Sequence, residues 1–451
     1  MFKKCYWLGV GLMTIVAFGL TAPSAPAQVY SLPNAGGATW GASSAAMDSK
    51  NNIYAVGSGG TIATEFIAAS LTGNGAVNTA FGGGVVTTQV GKYAEYTGPS
   101  VCAVQLSGTN SKLLSAGGYY SNARRYPGIY AAIVRYNANG ALDTTFGAKG
   151  IVASTTFYGG ISAMAVNPED NTIVVGGSAN GWGGGLPLGL ARYNANGQLD
   201  STFNKTGMVT FSPAGVQDNV ATDVAALELQ SDGHIVMAAN LVYGSGAKLG
   251  VLMRFTSTGQ LDGSFGSGGT ATLPAASGGT GSVVYDIIVD ENDNIITSGI
   301  PIGSSSPLML TRFTSSGALD TTFGESSGTP GVNTGYITES FGTTPRALAL
   351  DDGGNIVIAG YATPNTTNLF VARFTADGAL DTSFGLPDPS DPTGQLRLGY
   401  NDSVAGYATR IHHSVQIESN GTIDVVANPA AGGNSVVLQY NADATNNPTG
   451  P

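Results

Sequence analysis

One segment recurs at fixed offsets along the chain, and this limits the fold more than any other feature. "IVRYNANGALDTTF" begins at Ile133, "LARYNANGQLDSTF" at Leu190, "LMRFTSTGQLDGSF" at Leu252, "LTRFTSSGALDTTF" at Leu310 and "VARFTADGALDTSF" at Val371. A catalytic motif needs to occur once, so five copies point to architecture. The closing Phe recurs at Phe81, Phe146, Phe203, Phe265, Phe323 and Phe384, a mean spacing of about 61 residues. An upstream half occurs seven times, from Ala45, Ala103, Ala163, Leu227, Ile287, Leu348 and Val415. Self-similarity at such a period marks a solenoid or a propeller.

Each unit reads as four short strands. An apolar strand ("LALD") meets an Asp/Asn/Gly turn, and a second ("NIVIAG") ends on Gly or Ala. A loop of varying length leads to a third ("VARF") that enters the fixed segment, and a weaker fourth follows, such as Gly150–Ser154. Short strands between frequent turn signals suit antiparallel sheet. Four-stranded sheets set around an axis make a β-propeller, whose edges are short and protected. The spacing predicts an all-β, seven-bladed propeller over residues 28–441. The seventh copy ends after its third strand at Val436–Asn441, and residues 442–451 read as a polar tail. "QVYSLP" at Gln28–Pro33 has no blade of its own and is expected to supply the missing outer strand, removing an open edge.

The fixed segment itself has a structural explanation. Arg135, Arg192, Arg254, Arg312 and Arg373 each precede an Asp by eight residues: Asp143, Asp200, Asp262, Asp320 and Asp381. A turn ending in Gly separates them. The Asp is expected to cap the turn that follows, the Arg to pair with it, and the Phe to fill the space between blades. The first copy has Ser70 for Arg and Asn78 for Asp, which predicts a weaker seam there.

The signature R[YF]-x-x-x-G-x-L-D-x-[ST]-F-G resembles the delta-60 repeat of secreted and surface proteins of Gram-negative bacteria. The resemblance covers nearly all of the chain after residue 27. It implies an extracytoplasmic β-propeller and supplies no catalytic residues.

Residues 1–27 read as a signal peptide: Lys3 and Lys4, an apolar run from Leu8 to Leu20, then "APA" at Ala25–Ala27. Its removal leaves Cys102 as a lone cysteine, so no intrachain disulfide is available. It also leaves 16 basic against 29 acidic residues, which argues against nucleic acid and anionic membrane as partners. No membrane insertion is expected afterwards. The expected location is the periplasm or beyond.

Chemical motifs are weak. "GESSG" at Gly324–Gly328 matches a nucleophile elbow only by letter, since no strand-to-helix turn is expected there. "DENDN" at Asp290–Asn294 opens like an EF-hand loop but lacks its Gly and closing Glu. No zinc spacing, dinucleotide loop or phosphate loop occurs, so neither metal nor cofactor is expected. The starts of the seven innermost strands align Ser43, Cys102, Ser162, Ala225, Tyr285, Arg346 and His413 at a channel mouth. An enzyme of the hydrolase or lyase sort would use Arg346, His413 and Tyr285 there. The loops between second and third strands are longest in blades 2, 3 and 4. They carry Tyr119, Tyr120, Arg124, Arg125, Tyr126 and Tyr130 in blade 2, Trp182 in blade 3 and Tyr243 in blade 4. Tyr, Trp and Arg dominate recognition surfaces. The leading expectation is a binding or scaffold module for a protein or glycan, with the enzyme as alternative.

Overall fold

The computed structural model describes residues 28–59, 65–91, 98–107, 110–121, 128–178, 188–211, 223–243, 248–304, 308–329, 332–339, 343–362, 368–385, 400–405, 407–408, 414–429 and 432–444. The expected signal peptide lies outside them. Seven antiparallel sheets follow one another along the chain. From the inside out, blade 1 has strands Gly41–Met47, Ile53–Ser58, Glu65–Leu71 and Val85–Gln89. Blade 2 has Gly98–Ser107, Asn110–Ser121, Gly128–Tyr136 and Ile151–Tyr158, and blade 3 has Ile161–Val166, Ile173–Ser178, Leu188–Tyr193 and Met208–Phe211. Blade 4 has Asp223–Leu229, Ile235–Val242, Lys248–Phe255 and Thr270–Thr272, and blade 5 has Gly281–Val289, Ile295–Ile302, Leu308–Phe313 and Tyr336–Glu339. Blade 6 has Thr343–Leu350, Ile356–Ala362, Asn368–Phe374 and Tyr400–Ala405. In blade 7 the inner strand is split into Tyr407–Ala408 and Val415–Ile417, followed by Ile423–Pro429 and Val436–Tyr440.

The outer strand of blade 7 is Gln28–Ser31, as the spacing predicts. Gln28 pairs with Gln439, Val29 with Leu438, Tyr30 with Val437 and Ser31 with Val436. The junction continues beyond the strand. Leu32 N–H donates to Ser435 O at 2.9 Å. Trp40 Nε1 donates to Pro33 O at 2.9 Å, and Asn434 Nδ2 to Leu32 O at 2.9 Å. The C-terminal boundary shifts slightly. Ala444 is fully buried, and Ala442 O and Asp443 O accept hydrogen bonds from blade 6, so residues 442–444 belong to the ring.

Blades pack face to face, which covers both sides of the second and third strands. Their residues are therefore apolar almost without alternation: Ile53, Tyr54, Ala55 and Val56 are all buried. In blades 1, 5 and 6 the polar turn after the inner strand satisfies its own backbone donors. Asp290 Oδ1 accepts from Asn292 N–H and Asn294 N–H, and its Oδ2 from Asn294 Nδ2. Asp48 and Asp351 repeat the arrangement, so "DENDN" is a hairpin turn. "GESSG" runs into a small hairpin, Ser326–Thr329 with Val332–Asn333, and no helix follows it.

The repeated segment ties each blade to the next. Arg192, Arg254, Arg312 and Arg373 donate through Nε to the Asp eight residues on, at 2.7–2.8 Å. In blade 2, Lys112 Nζ reaches Asp143 at 2.6 Å and Arg135 pairs with it through Nη2 at 2.8 Å. Nη1 of all five arginines donates to a backbone carbonyl of the following blade: Ala195, Ser257, Ser315, Ala376 and Ala442. The guanidinium carbon sits 4.4–5.0 Å from the centroid of its own blade's column Phe. Each Asp turns its other oxygen to the N–H and hydroxyl of the Thr or Ser two residues on. The Ser264 hydroxyl foremost, with Ser264 N–H and Arg254, holds the Asp262 carboxyl down to about 2. At Asp200, Asp320 and Asp381 burial pulls upward, but these same kinds of partners outweigh it.

The Phe ring meets the next blade at its turn Gly. A Cβ on Gly197 would lie 2.6 Å from the Phe146 ring, and one on Gly259 2.8 Å from Phe203. The φ values of 79° and 83° there also favour glycine. All six column Phe residues are fully buried, worth roughly 1.5–3 kcal/mol each. Blade 7 has no such Phe, and Tyr30 of the N-terminal strand takes its place. A Cβ on Gly75 of blade 1 would lie 2.1 Å from the Tyr30 ring.

Blades 1 and 7 lack the Arg and fill its space differently. In blade 1, Asn78 Nδ2 donates to Ser70 Oγ at 3.1 Å, while Tyr54, opposite Ser70, stands edge-on to Phe81 with 5.5 Å between centroids. Its hydroxyl donates to Asp48 at 3.1 Å. In blade 7, Gln439 occupies the Arg position, and opposite it stands Asp424, fully buried. Gln439 Nε2 donates to Asp424 Oδ1 at 3.0 Å, to Gly73 O of blade 1 at 3.0 Å and to Glu418 Oε1 at 3.4 Å. Burial, then the charge of Glu418, pushes the Asp424 carboxyl up to about 8.

Candidate functional site

Antiparallel order puts the turns between inner and second strands on one face of the ring, together with the Arg–Asp segments. The loops between second and third strands share the other face with the starts of the inner strands. On this loop face blade 2 stands out. Its second and third strands remain paired to Ser121 and Gly128, and its outer strand follows as far as Tyr158 opposite Tyr130. The described part of the insertion is therefore a continued sheet, and residues 122–127 lie outside the described residues.

The expected recognition residues separate into two groups. Tyr119 and Tyr130 face each other across the hairpin with ring centroids 6.0 Å apart. Both are buried against blade 1, and Tyr119 Oη donates to Ser154 O at 3.1 Å. They are the base of the projection. Tyr120 is half-buried on the opposite side, paired with the exposed Ile129. Tyr243 is half-buried against the core between blades 3 and 4. Arg124, Arg125, Tyr126 and Trp182 lie outside the described residues.

The channel is lined by inner strands. Ala45–Met47, Cys102–Val104, Met164–Val166, Leu227–Leu229 and Gln416 surround a cavity of about 360 Å³. At the loop-face end, the inner strands of blades 1 to 6 each carry a β-bulge at one repeated position: Ser43, Ser100, Ser162, Ala225, Tyr285 and Arg346. This corrects the aligned series, because Ser100 rather than Cys102 is the blade 2 member. Cys102 lies two residues further in and is buried, with its N–H on Ser44 Oγ at 3.1 Å. Burial pushes its thiol up to about 12, which removes it as a nucleophile. His413 lies outside the described residues.

The bulge explains the Gly that ends most second strands. In blade 3 a Cβ on Gly177 would lie 2.2 Å from Gly160 O at the entry to the bulged strand. It also frees a carbonyl for the neighbouring blade. Ser43 Oγ donates to Pro99 O at 2.7 Å, Ser162 Oγ to Val224 O at 2.8 Å, Asn240 Nδ2 to Val284 O at 2.8 Å and Asn428 Nδ2 to Ala42 O at 3.1 Å. Blades 5 and 6 depart from the pattern. There the bulge residues are large, and the Arg346 guanidinium lies 4.2 Å from the Tyr285 ring centroid and 5.4 Å from that of Tyr361. Arg346 Nη2 donates to Tyr361 Oη at 3.1 Å. Burial raises the Tyr285 phenol, against the Arg346 charge. No group of three or more metal-ligating side chains occurs among the described residues, and no helix there is long and apolar enough to cross a membrane.

Fold and site together define a seven-bladed β-propeller with a decorated loop face. The chain matches the family model described as a domain of unknown function (DUF5122) beta-propeller over residues 129–146, 169–203, 230–265 and 354–384. Each matched block ends on a column Phe, and the match supports a β-propeller family. No curated protein matches the chain. Among solved structures, a protein of unknown function from Dyadobacter fermentans DSM 18053 is 10% identical. It covers 92% of this chain and 98% of its own, with a TM-score of 0.44. A polysaccharide lyase of family PL25, an ulvan lyase, is 9% identical over 91% of this chain and 95% of its own, with a TM-score of 0.50. The Trypanosoma rangeli sialidase bound to the inhibitor DANA is 9% identical over 92% of this chain and 58% of its own, with a TM-score of 0.40. At these identities the likeness is one of fold.

Proposed function

We propose that this propeller is an extracytoplasmic binding module whose loop face, on the side of blades 2 to 4, recognises a protein or glycan. The observation that carries the reading is the blade 2 projection. Its sheet extends past the pattern of the other blades and rests on a buried Tyr119–Tyr130 pair, and the sequence between its two strands carries Arg124, Arg125 and Tyr126. A paired base beneath aromatic and cationic residues lowers the ordering cost of binding. Export after removal of residues 1–27 belongs to the same proposal, supported by the leader-like sequence.

The test is the Arg125→Ala/Tyr126→Ala double variant in pull-down from cell-envelope and culture fractions. Loss of a captured partner with an unchanged unfolding temperature is expected; undiminished capture would remove blade 2 from the interface. The enzymatic alternative rests on the mouth residues Tyr285, Arg346 and His413. A panel of ester, glycoside and lactone substrates tests it, with turnover lost in His413→Ala as the supporting result.

A further inference from the structure

We propose that the loop-face mouth between blades 5 and 6 binds an oxyanion, a carboxylate or sulfate group, with Arg346 as its anchor. Every repeated Arg in the chain has a carboxylate partner within 2.8 Å. Arg346 lies outside that repeat. Its guanidinium makes one hydrogen bond, to a neutral phenol, and no ion pair among the described residues. Asp286, adjacent to Tyr285, does not serve it: its carboxylate accepts from Ile287 N–H and from Leu348 N–H at 3.0 Å each.

The site around Arg346 is built rather than incidental. The rings of Tyr285 and Tyr361 lie against the guanidinium, with their centroids 4.2 and 5.4 Å away, which removes part of its water and restricts its orientation. Its Nε is buried with no acceptor among the described residues. A buried donor on a partly desolvated cation marks a missing acceptor, since such groups are almost always paired. The planar fork of a guanidinium matches two oxygens of one oxyanion. Sequence placement agrees: where blades 1 and 3 put a serine that straps onto the next blade, blades 5 and 6 put Tyr285 and Arg346. Neither Tyr285 nor Arg346 can make that strap, and the bulge places the cation at the loop-face end of its inner strand.

This inference does not depend on the blade 2 tip, and the two fail separately. The full chain is titrated with sodium glucuronate and with sodium sulfate, against glucose and sodium chloride at matched ionic strength. Unfolding temperature and calorimetric binding are the readouts. Binding of either anion, absent for glucose and weakened about tenfold or more in Arg346→Gln, is expected. The more effective anion identifies the ligand's group. Arg346→Lys keeps the charge and loses the fork, so it is expected to bind more weakly than the wild type. The Arg125→Ala/Tyr126→Ala variant is expected to bind the anion normally. No stabilisation beyond chloride in the wild type overturns the proposal. So does equal binding by Arg346→Gln or, should that variant not fold, by Arg346→Lys.

Discussion

Replacing Asp424 with Asn should flatten the dependence of stability on pH between about pH 4 and about pH 8. Asp424 is fully buried opposite Gln439, with Glu418 beside it and the Tyr30 ring of the N-terminal strand nearby. No cation faces it among the described residues, because the Arg of the other blades is here a Gln. Its carboxyl rises from 3.8 to about 8 on folding. Below about pH 4 the group is protonated in both states, and its contribution to stability is fully present. As pH rises, the unfolded chain ionises first, so stability falls by about 1.4 kcal/mol per pH unit until the folded group also ionises near 8. The total is of order 5 kcal/mol. The repeated Asp residues do not mask this. Their carboxyls are held below the ordinary value, so their contribution is lost only as pH falls through the acid range below about 4. Asn at 424 keeps an acceptor for Gln439 and has no charge to bury. Denaturant midpoints measured at four values from about pH 5 to about pH 8, at constant ionic strength, test the argument. The wild type should lose stability steadily toward alkaline pH and Asp424→Asn should not. Equal slopes in the two proteins would show that Asp424 is not the titrating group.

Five further outcomes follow from the ring's construction. Arg254→Met leaves Asp262 without its cation and cuts the tie to Ser315 O, and should cost roughly 2–4 kcal/mol in chemical unfolding. Gly197→Ala forces a methyl into the Phe146 ring at positive φ and should destabilise by about 2 kcal/mol or more. Conversely, Ala444 holds φ 50° in the same column, so Ala444→Gly should be nearly neutral or stabilising by roughly 0.5 kcal/mol despite the lost methyl. Tyr30→Ala removes the ring that stands in for the seventh Phe. It should cost roughly 3 kcal/mol and increase self-association on size exclusion, as the outer edge of blade 7 loosens. Cys102 should react with a thiol reagent only at the rate of unfolding, and rapid modification of the native protein would contradict its buried position.

The parts of this fold visible in the sequence are those the chain repeats. Arg, Asp and Phe at constant offsets declared a shared local geometry, and a truncated last copy beside a spare first strand declared the closure. What escaped notice occurs once or leaves no fixed letter. Tyr30 replaces a Phe from the opposite end of the chain, and Asp424 sits in a column otherwise filled mainly by aliphatic residues, Val236 and Val357 among them. The reach of each Arg to the following blade is a relation between backbones, to which a carbonyl adds no residue signature. The alignment of blade 2 slipped by two residues because its inner hairpin stays paired out to Ser107 and Asn110, so its turn no longer marks the register and the series landed on Cys102 instead of Ser100. Tyr119 and Tyr130 read as contact residues because composition cannot tell a ring beneath a projection from one at its tip.

The strand Gln28–Ser31 is made before the other strands of the wheel, and its partner Val436–Tyr440 is among the last. Between them the entire wheel must be synthesised while a clasp of four residues waits with nothing to grip. Circularity is thus decided at the end of folding, over the longest sequence separation the molecule has, and the slowest event should be the meeting of its two ends. A version with the clasp moved to follow Ala444 would shorten that search to a hairpin and should close the wheel sooner.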